Sequence, residues 1–324
     1  MPRLVSTAAL ALAASALVGA ALVGAAPVRA QSASYGQYLV VIDDSGSMDR
    51  SDPRRLVEMA SLALAGALED GDQVMLVGLN ELASGEAGGP SFVSPRELLP
   101  QRDAAEGVVP LTGDRVEHLG RHQGETPCRA ALDRARDILN AVASAGAPQT
   151  LLMLTDGACN GGAVEPPERW LATLRSHQEH RFRFVLLMKQ GAGRADRNLE
   201  AYGRRTGWRG DTSVAFDARS LLRAFADVLS FSRGLRYDDG GRVGLERTFA
   251  GARTVRILAI RDRGEGPIAL ERVSRSGAAE ALENGPTYRD PAYEWSFRTA
   301  AHAPEGAGEA FAVRSSTPGV DVLV

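Results

Sequence analysis

The sequence has few of the residues that bind soft metals, and it has almost no lysine. Only Lys189 among its 37 basic residues is a lysine, and there are two cysteines and five histidines in 324 residues. The formal net charge is −3, without the basic excess that marks a nucleic-acid-binding surface. A zinc site needs more well-placed cysteine and histidine ligands than these residues offer. The composition argues against a nucleic-acid-binding protein and against a zinc site.

Residues 1–30 have the pattern of an export signal. Arg3 is followed by a long run of Ala, Leu and Val, and small residues at Val28 and Ala30 precede Gln31. This pattern predicts cleavage before Gln31 and a periplasmic or secreted protein that is not stably inserted in a membrane. The alternative is a retained membrane anchor, because the apolar run is nearly long enough to span a bilayer. The run is rich in Ala and Gly and is therefore only weakly hydrophobic, which favours cleavage over a retained anchor.

Residues 31–235 alternate between apolar runs of strand length and segments with helical periodicity. The predicted strands are 37–43, 73–80, 149–157, 182–189 and 212–217. The predicted helices cover 53–67, 127–144, 167–178, 196–205 and 218–231. Such alternation is typical of an α/β domain with a doubly wound, mostly parallel sheet and helices on both faces. Ligands of these sheets gather at the carboxyl ends of the strands.

Residues 236–324 have a different pattern, with predicted strands and no good helix. The strands are 254–262, 268–274, 293–299, 309–316 and 320–324, separated by turns rich in Gly, Pro and Ala. We therefore predict a smaller all-β module, sandwich-like, after the α/β domain, with an incomplete module as the alternative. The sequence does not assign it a role.

The strongest chemical signal is the stretch VIDDSGSM, where a buried strand runs directly into acids and hydroxyls. Asp43, Ser45 and Ser47 alternate, so their oxygens can converge from one turn. Thr126, just before a helix, and Asp156, just after a strand, can add oxygens from neighbouring loops. A small hard cation such as Mg²⁺ prefers about six oxygen ligands, some of them water. We treat Asp44 and Asp49 as solvated acids, with Asp44 pointing away from the cation.

These segments resemble the von Willebrand factor A domain family. VIDDSGSM is similar to its Asp-x-Ser-x-Ser motif, Thr126 to its isolated threonine, and LTDG at 154–157 to its distal aspartate, over roughly residues 37–234. The resemblance implies a metal-ion-dependent adhesion site for Mg²⁺, with Mn²⁺ or Ca²⁺ as alternatives. In the family an acidic group of a protein partner often completes the coordination. The implied ligands are Asp43, Ser45, Ser47, Thr126 and Asp156.

Each of these residues also has a simpler explanation. Ser45 and Ser47 are frequent turn-capping residues, Thr126 before Pro127 fits a helix N-cap, and Asp156-Gly157 is a common turn pair. Their combination at strand ends favours the cation site. If the loops carrying Thr126 and Asp156 meet at one ion, Cys128 and Cys159 become neighbours, and we predict that they form a disulfide. The alternatives are two separate thiols and disulfides with other molecules.

Three functions remain open at this level. The favoured one is an exported, cation-dependent protein-binding module that is not an enzyme, with the stretch 81–123 as the candidate for partner-selecting loops. The second is a metal-dependent hydrolase using the same site, although a Gly-x-Ser-x-Gly motif and an evident general base are missing from the pattern. The third is a scaffold whose cation only stabilises the fold. The resemblance adds a chelatase or ATPase subunit, which the export signal disfavours.

Overall fold

The first described element of the computed structural model is the strand that precedes the acidic stretch. The structure describes residues 35–53, 56–85, 91–99, 108–110, 125–142, 147–156, 181–187, 211–215, 218–233, 254–262, 264, 268–274, 276–282, 287–289, 293–301, 311–316 and 321–323. The predicted signal segment, 1–30, and the predicted helices over 167–178 and 196–205 lie outside these ranges.

Thirteen strands occur in the described residues. They are β1 (Gln37–Ile42), β2 (Gln73–Gly78), β3 (Val108–Pro110), β4 (Gln149–Thr155), β5 (Arg181–Leu187), β6 (Asp211–Ala215), β7 (Thr254–Asp262), β8 (Leu270–Ser274), β9 (Ala279–Ala281), β10 (Thr287–Arg289), β11 (Tyr293–Ala301), β12 (Phe311–Ser315) and β13 (Asp321–Leu323). The described helices are α1 (Met48–Ser51), α2 (Leu56–Ala67), α3 (Leu79–Ser84), α4 (Pro95–Leu98), α5 (Cys128–Val142) and α6 (Ala218–Arg233).

The first five predicted strands form one parallel sheet in the order β2-β1-β4-β5-β6. Ile42 at the end of β1 pairs with Gly78 of β2 on one side and with Leu154 of β4 on the other. The carboxyl ends of these three strands therefore reach the same edge of the sheet. The parallel α/β sheet predicted from the sequence is confirmed.

Side-chain alternation along β1 divides the core into two layers. Leu39 and Val41 belong to a cluster with residues of α3 and α5 on one face of the sheet. Tyr38, Val40 and Ile42 belong to a cluster on the opposite face with residues of α2 and α6. Burial of both faces explains why these strands are continuous apolar runs, since a parallel sheet is covered on both sides. Helices on both faces are as predicted.

Strand β2 ends earlier than its sequence pattern predicts. We expect a strand over 73–80, but it stops at Gly78 and Leu79 begins α3. Leu79 extends the apolar run of the sequence because its side chain is also buried, although it belongs to α3 and not to β2. Asn80 is thereby placed at the carboxyl edge of the sheet.

From Thr254 onward, every described element is a strand. The strands form two sheets, β13-β7-β11-β10-β3 and β12-β8-β9. The first sheet includes β3 from the earlier part of the chain, and Leu258, Ile260 and Tyr288 share the core cluster of α2. Residues 34–324 form one compact unit. The division of the chain at 235/236 stays a prediction, while the described strands on either side of it contribute to a common core.

Strands β9 and β10 are additions to the predicted set. Neither contains a run of apolar residues, and β9 is exposed along its whole length. In the described part of the chain, no helix is both long enough and apolar enough to span a membrane.

Candidate cation site

The loop after β1 gathers an acid and two hydroxyls at the carboxyl edge of the sheet. Asp43 Oδ1 accepts a hydrogen bond from the backbone N of Ser45 at 2.9 Å. The hydroxyl of Ser45 lies 3.0 Å from that of Ser47. Asp43 and Ser45 are buried, whereas Ser47 is half-buried. The alternation predicted from the sequence therefore brings the oxygens of this motif together.

Ser47 does not use its hydroxyl to cap a helix. It occupies the N-cap position of α1, but its side chain makes no capping hydrogen bond. Its Oγ is instead paired with the Ser45 hydroxyl. Ser47 therefore does not cap α1 through its side chain, and its hydroxyl contacts the acidic loop at Ser45.

The end of β4 adds a second acid to the same edge. The backbone N of Asp43 donates to the carbonyl of Leu154 at 2.8 Å, and the Thr155 hydroxyl donates to Asp43 Oδ2. Asp156 follows immediately, and its Oδ2 accepts a hydrogen bond from Ser51 Oγ at 2.9 Å. Asp156 is thus held between the end of β4 and the last residue of α1.

The pKa of Asp43 is set mainly by burial and in part by a neighbouring acid. Burial raises the pKa of the Asp43 carboxyl above its usual range, hydrogen bonds from Ser45 and Thr155 oppose that shift, and the charge of Asp156 raises the pKa further. Among the described residues, no Lys, Arg or His makes an ion pair with Asp43 or lowers its pKa. Asp156 is therefore close enough to Asp43 for its charge to disfavour the ionised form of Asp43.

Thr126 is buried immediately ahead of α5, and the backbone N of Cys128 donates to its carbonyl at 2.9 Å. Cys128 belongs to the same core cluster as Val41 and Met153, which lie on β1 and β4 shortly before the two acids. The N-terminal end of α5 therefore packs near the carboxyl end of the sheet. Participation of the Thr126 side chain in the cation site stays a prediction.

Cys128 is fully buried and its sulfur is in a disulfide bond. Its predicted partner, Cys159, lies outside the described residues. A disulfide sulfur is not a thiolate, so Cys128 is not a metal ligand in this state. The Cys128–Cys159 pairing remains a prediction.

Asp44 differs from the sequence expectation, whereas Asp49 agrees with it. Asp44 is buried rather than solvated, because its Oδ1 accepts hydrogen bonds from the backbone N and the Nδ2 of Asn80. It does alternate away from Asp43, toward the β2–α3 junction. Asp49 is exposed, as predicted.

Three residues of this edge were missing from the predicted site: Asn80, Thr155 and Ser51. The sequence signal for Thr155 is a hydroxyl residue at the end of the apolar run of β4. The sequence signal for Ser51 is its position one helical turn after Ser47. Asn80 follows a strand that ends at the same edge, which is the only sequence signal for it.

Several described residues of the stretch 81–123 are attached to the core. Leu82 in α3 and Leu99 after α4 are both buried, and Val93 exchanges two backbone hydrogen bonds with Val74 of β2. These contacts tie the described parts of the stretch to the core. The rest of the candidate partner-selecting loops lies outside the described residues.

The donor set of this edge is oxygen only and modest in charge. Across the described ranges, no group of three or more His, Cys, Asp and Glu side chains is arranged to hold a metal. The predicted set is of another kind, two carboxylates with three hydroxyls. Such donors suit a hard cation that keeps part of its water shell.

No protein-family model matches this sequence, and a search of curated proteins gives no match either. Among solved structures, the chain is similar to von Willebrand factor type A from Catenulispora acidiphila, at 16% identity and a TM-score of 0.42 over 90% of this chain and 58% of that one. It is also similar to the pilus adhesin SpaC from Lactobacillus rhamnosus GG, at 12% identity and a TM-score of 0.40 over 90% of this chain and 39% of that one.

A third similar structure is manganese-loaded TRAP protein from Plasmodium vivax, at 15% identity and a TM-score of 0.38 over 82% of this chain and 93% of that one. This chain spans little more than half of the first of these structures and well under half of the second. These TM-scores are all below 0.5. We therefore assign the fold class from the parallel sheet and the candidate site from the geometry of its residues.

Proposed function

We propose that this chain is an exported protein-binding module that grips an acidic group of a partner protein through a divalent cation. The cation, Mg²⁺ with Mn²⁺ or Ca²⁺ as alternatives, is held at the carboxyl ends of β1 and β4. Its ligands, some acting through water, are Asp43, Ser45, Ser47, Thr126 and Asp156. The observation that carries the proposal is the buried Asp43 carboxylate, which has hydroxyls and a second acid around it but no cationic partner among the described residues.

A divalent cation fits the chemistry of these residues. Burying an unpaired carboxylate is costly, and Asp156 adds repulsion to that cost. A cation at this edge offsets both effects and accepts the paired hydroxyls of Ser45 and Ser47 as neutral donors. Two carboxylates balance the charge of one divalent ion, so a third carboxylate from a partner can approach without facing a net negative site.

An oxidising compartment, which export would provide, agrees with the disulfide at Cys128. Cys128 is in a disulfide, and disulfides persist mainly in exported proteins. The export signal itself, residues 1–30, lies outside the described residues and supports the proposal through its sequence pattern alone.

Cation binding is tested by calorimetric titration of the full chain with MgCl₂ and MnCl₂. We expect one site in the wild type, loss of binding in Asp43→Asn, and unchanged binding in the exposed neighbour Asp49→Asn. Equal binding by the wild type and Asp43→Asn would reject the assigned site.

Partner binding is tested by a pull-down from the native envelope or culture medium in Mg²⁺ and in EDTA. A partner retained in Mg²⁺ but lost in EDTA and with Asp43→Asn is the expected result. Retention in EDTA would reject cation-mediated binding. Metal-dependent turnover of hydrolase substrates that Asp43→Asn abolishes would favour the enzyme alternative.

A further inference from the structure

Ser51 connects the two halves of the cation site. It is the last residue of α1 and its Oγ donates to Asp156 Oδ2 at 2.9 Å. Within the described part of the chain, this is the only hydrogen bond made by the Ser51 hydroxyl. The bond links the segment that follows Ser47 to the end of β4, two segments that are far apart in the sequence.

The position of Ser51 is fixed by α1. This one-turn helix starts directly after Ser47, and the backbone N of Ser51 donates to the Ser47 carbonyl at 3.2 Å. Met48 anchors the turn by burying its side chain in the core cluster that contains Ile42 and Leu154. The Ser51 hydroxyl is therefore presented to Asp156 by the same turn that carries Ser47.

A neutral donor is the suitable partner for this acid. Asp156 follows the end of β4, at the same edge of the sheet as Asp43, because Ile42 pairs with Leu154 and the backbone N of Asp43 donates to the Leu154 carbonyl. An Arg or Lys partner would hold Asp156 but would also repel an incoming divalent ion. A hydroxyl restrains one carboxylate oxygen without adding positive charge to the site.

We propose that Ser51 is a positioning residue for the cation site, which orients the Asp156 carboxylate before the ion arrives. This inference rests on the proposed function. Residues that hydrogen-bond to metal ligands contribute to affinity by fixing ligand orientation. Ser51 would act through Asp156 alone, and not as a ligand.

The test measures Mn²⁺ binding to the full chain, with free Mn²⁺ quantified by its electron paramagnetic resonance signal. We expect Ser51→Ala to weaken the Mn²⁺ affinity about tenfold. Ser51→Thr, which keeps the hydroxyl, should stay close to the wild type, and Ser84→Ala, which removes an exposed hydroxyl bonded to the Glu81 carbonyl, should have no effect. The unfolding temperature of the cation-free protein is recorded for each variant.

A double-mutant cycle separates positioning from a general loss of structure. If Ser51 acts through Asp156, then Ser51→Ala should weaken Mn²⁺ binding no further in an Asp156→Asn background. A lower unfolding temperature of cation-free Ser51→Ala with unchanged Mn²⁺ affinity would overturn the inference, as would equal losses in both backgrounds. Absence of Mn²⁺ binding by the wild type would instead reject the proposed function itself.

Discussion

Asn80 donates two hydrogen bonds to one carboxylate oxygen of Asp44, from its backbone N at 2.9 Å and from Nδ2 at 2.7 Å to Oδ1. The acid next to Asp43 is therefore used to attach the loop to the β2–α3 junction. The two neighbouring acids in VIDDSGSM therefore have different roles. Asp43 lies beside the hydroxyls of the candidate cation site, whereas Asp44 binds Asn80 at the β2–α3 junction.

Removing this attachment should destabilise the fold. Asp44→Ala leaves both donors of Asn80 without their acceptor in a partly buried position, and we expect a loss of about 2–3 kcal/mol in the free energy of unfolding. Asn80→Ala removes only the side-chain donor and should cost about 1 kcal/mol. Both are measured by urea denaturation in EDTA. Asp49→Ala, at a nearby exposed acid in α1, is the control, and a similar cost for Asp44→Ala and Asp49→Ala would contradict the prediction.

Gly78 makes room for the Asp44 carboxylate. A Cβ at Gly78 would lie 2.3 Å from Asp44 Oδ2 and 3.2 Å from its Cγ. The backbone of Gly78 has φ −68° and ψ 145°, which alanine adopts readily, so the restriction is steric and not conformational. We expect Gly78→Ala to lower the free energy of unfolding by about 1–3 kcal/mol.

The steric cause can be tested by removing the obstructing group. In an Asp44→Ala background the added methyl group no longer meets a carboxylate, so Gly78→Ala should cost clearly less there. The same cost in both backgrounds would show that the Gly78–Asp44 contact is not responsible.

The sequence pattern was sufficient for the parallel sheet and for the loop after β1. The runs of β1 and β4 are short, apolar and end in an acid, and each of these properties is local. Pairing of Ile42 with Leu154 then brings Asp43 and Asp156 to one edge without further information. The alternation of Asp43, Ser45 and Ser47 is equally local.

The sequence pattern does not predict which distant segments are in contact. The partners of Asp44 and Asp156, Asn80 and Ser51, depend on which strands are neighbours and on where α1 and α3 begin. The burial of Asp44 follows from those partners, and hydrophobicity alone predicts a solvated acid. The short strands β9 and β10 are defined by pairing with β8 and β11, which a sequence without apolar runs does not reveal.

The predicted Cys128–Cys159 disulfide should leave no free thiol in the denatured, unreduced protein. Closing a loop of this length restricts the unfolded chain, so replacing both cysteines with alanine should cost about 3–4 kcal/mol of unfolding free energy. Thiol titration in guanidinium and denaturation of the double variant measure the two effects. Wild type treated with a reductant is the matched control and should resemble the variant. Two reactive thiols per chain would contradict the pairing, as would disulfide-linked dimers.

The raised pKa of Asp43 makes the stability of the cation-free protein depend on pH. Burial, opposed by hydrogen bonds and reinforced by Asp156, raises the folded-state pKa of Asp43 above its usual value of 3.8. The folded state then binds the proton more tightly than the unfolded chain. The resulting stabilisation is fully present below pH 3.8 and is lost as the pH rises through the raised pKa. At neutral pH in EDTA, the ionised carboxylate should therefore destabilise the wild type.

Asp43→Asn is the matched variant for this effect, because an amide can accept from the backbone N of Ser45 and donate to the Thr155 hydroxyl. In EDTA we expect Asp43→Asn to be more stable than the wild type at neutral pH, with the difference decreasing toward pH 4. Saturating Mg²⁺, at about 100 times its Kd, should stabilise the wild type by about 2.7 kcal/mol and leave Asp43→Asn unchanged. Denaturant titrations over a pH series measure both effects. A wild type that is more stable than Asp43→Asn at neutral pH in EDTA would show that the buried carboxylate is already compensated without a cation.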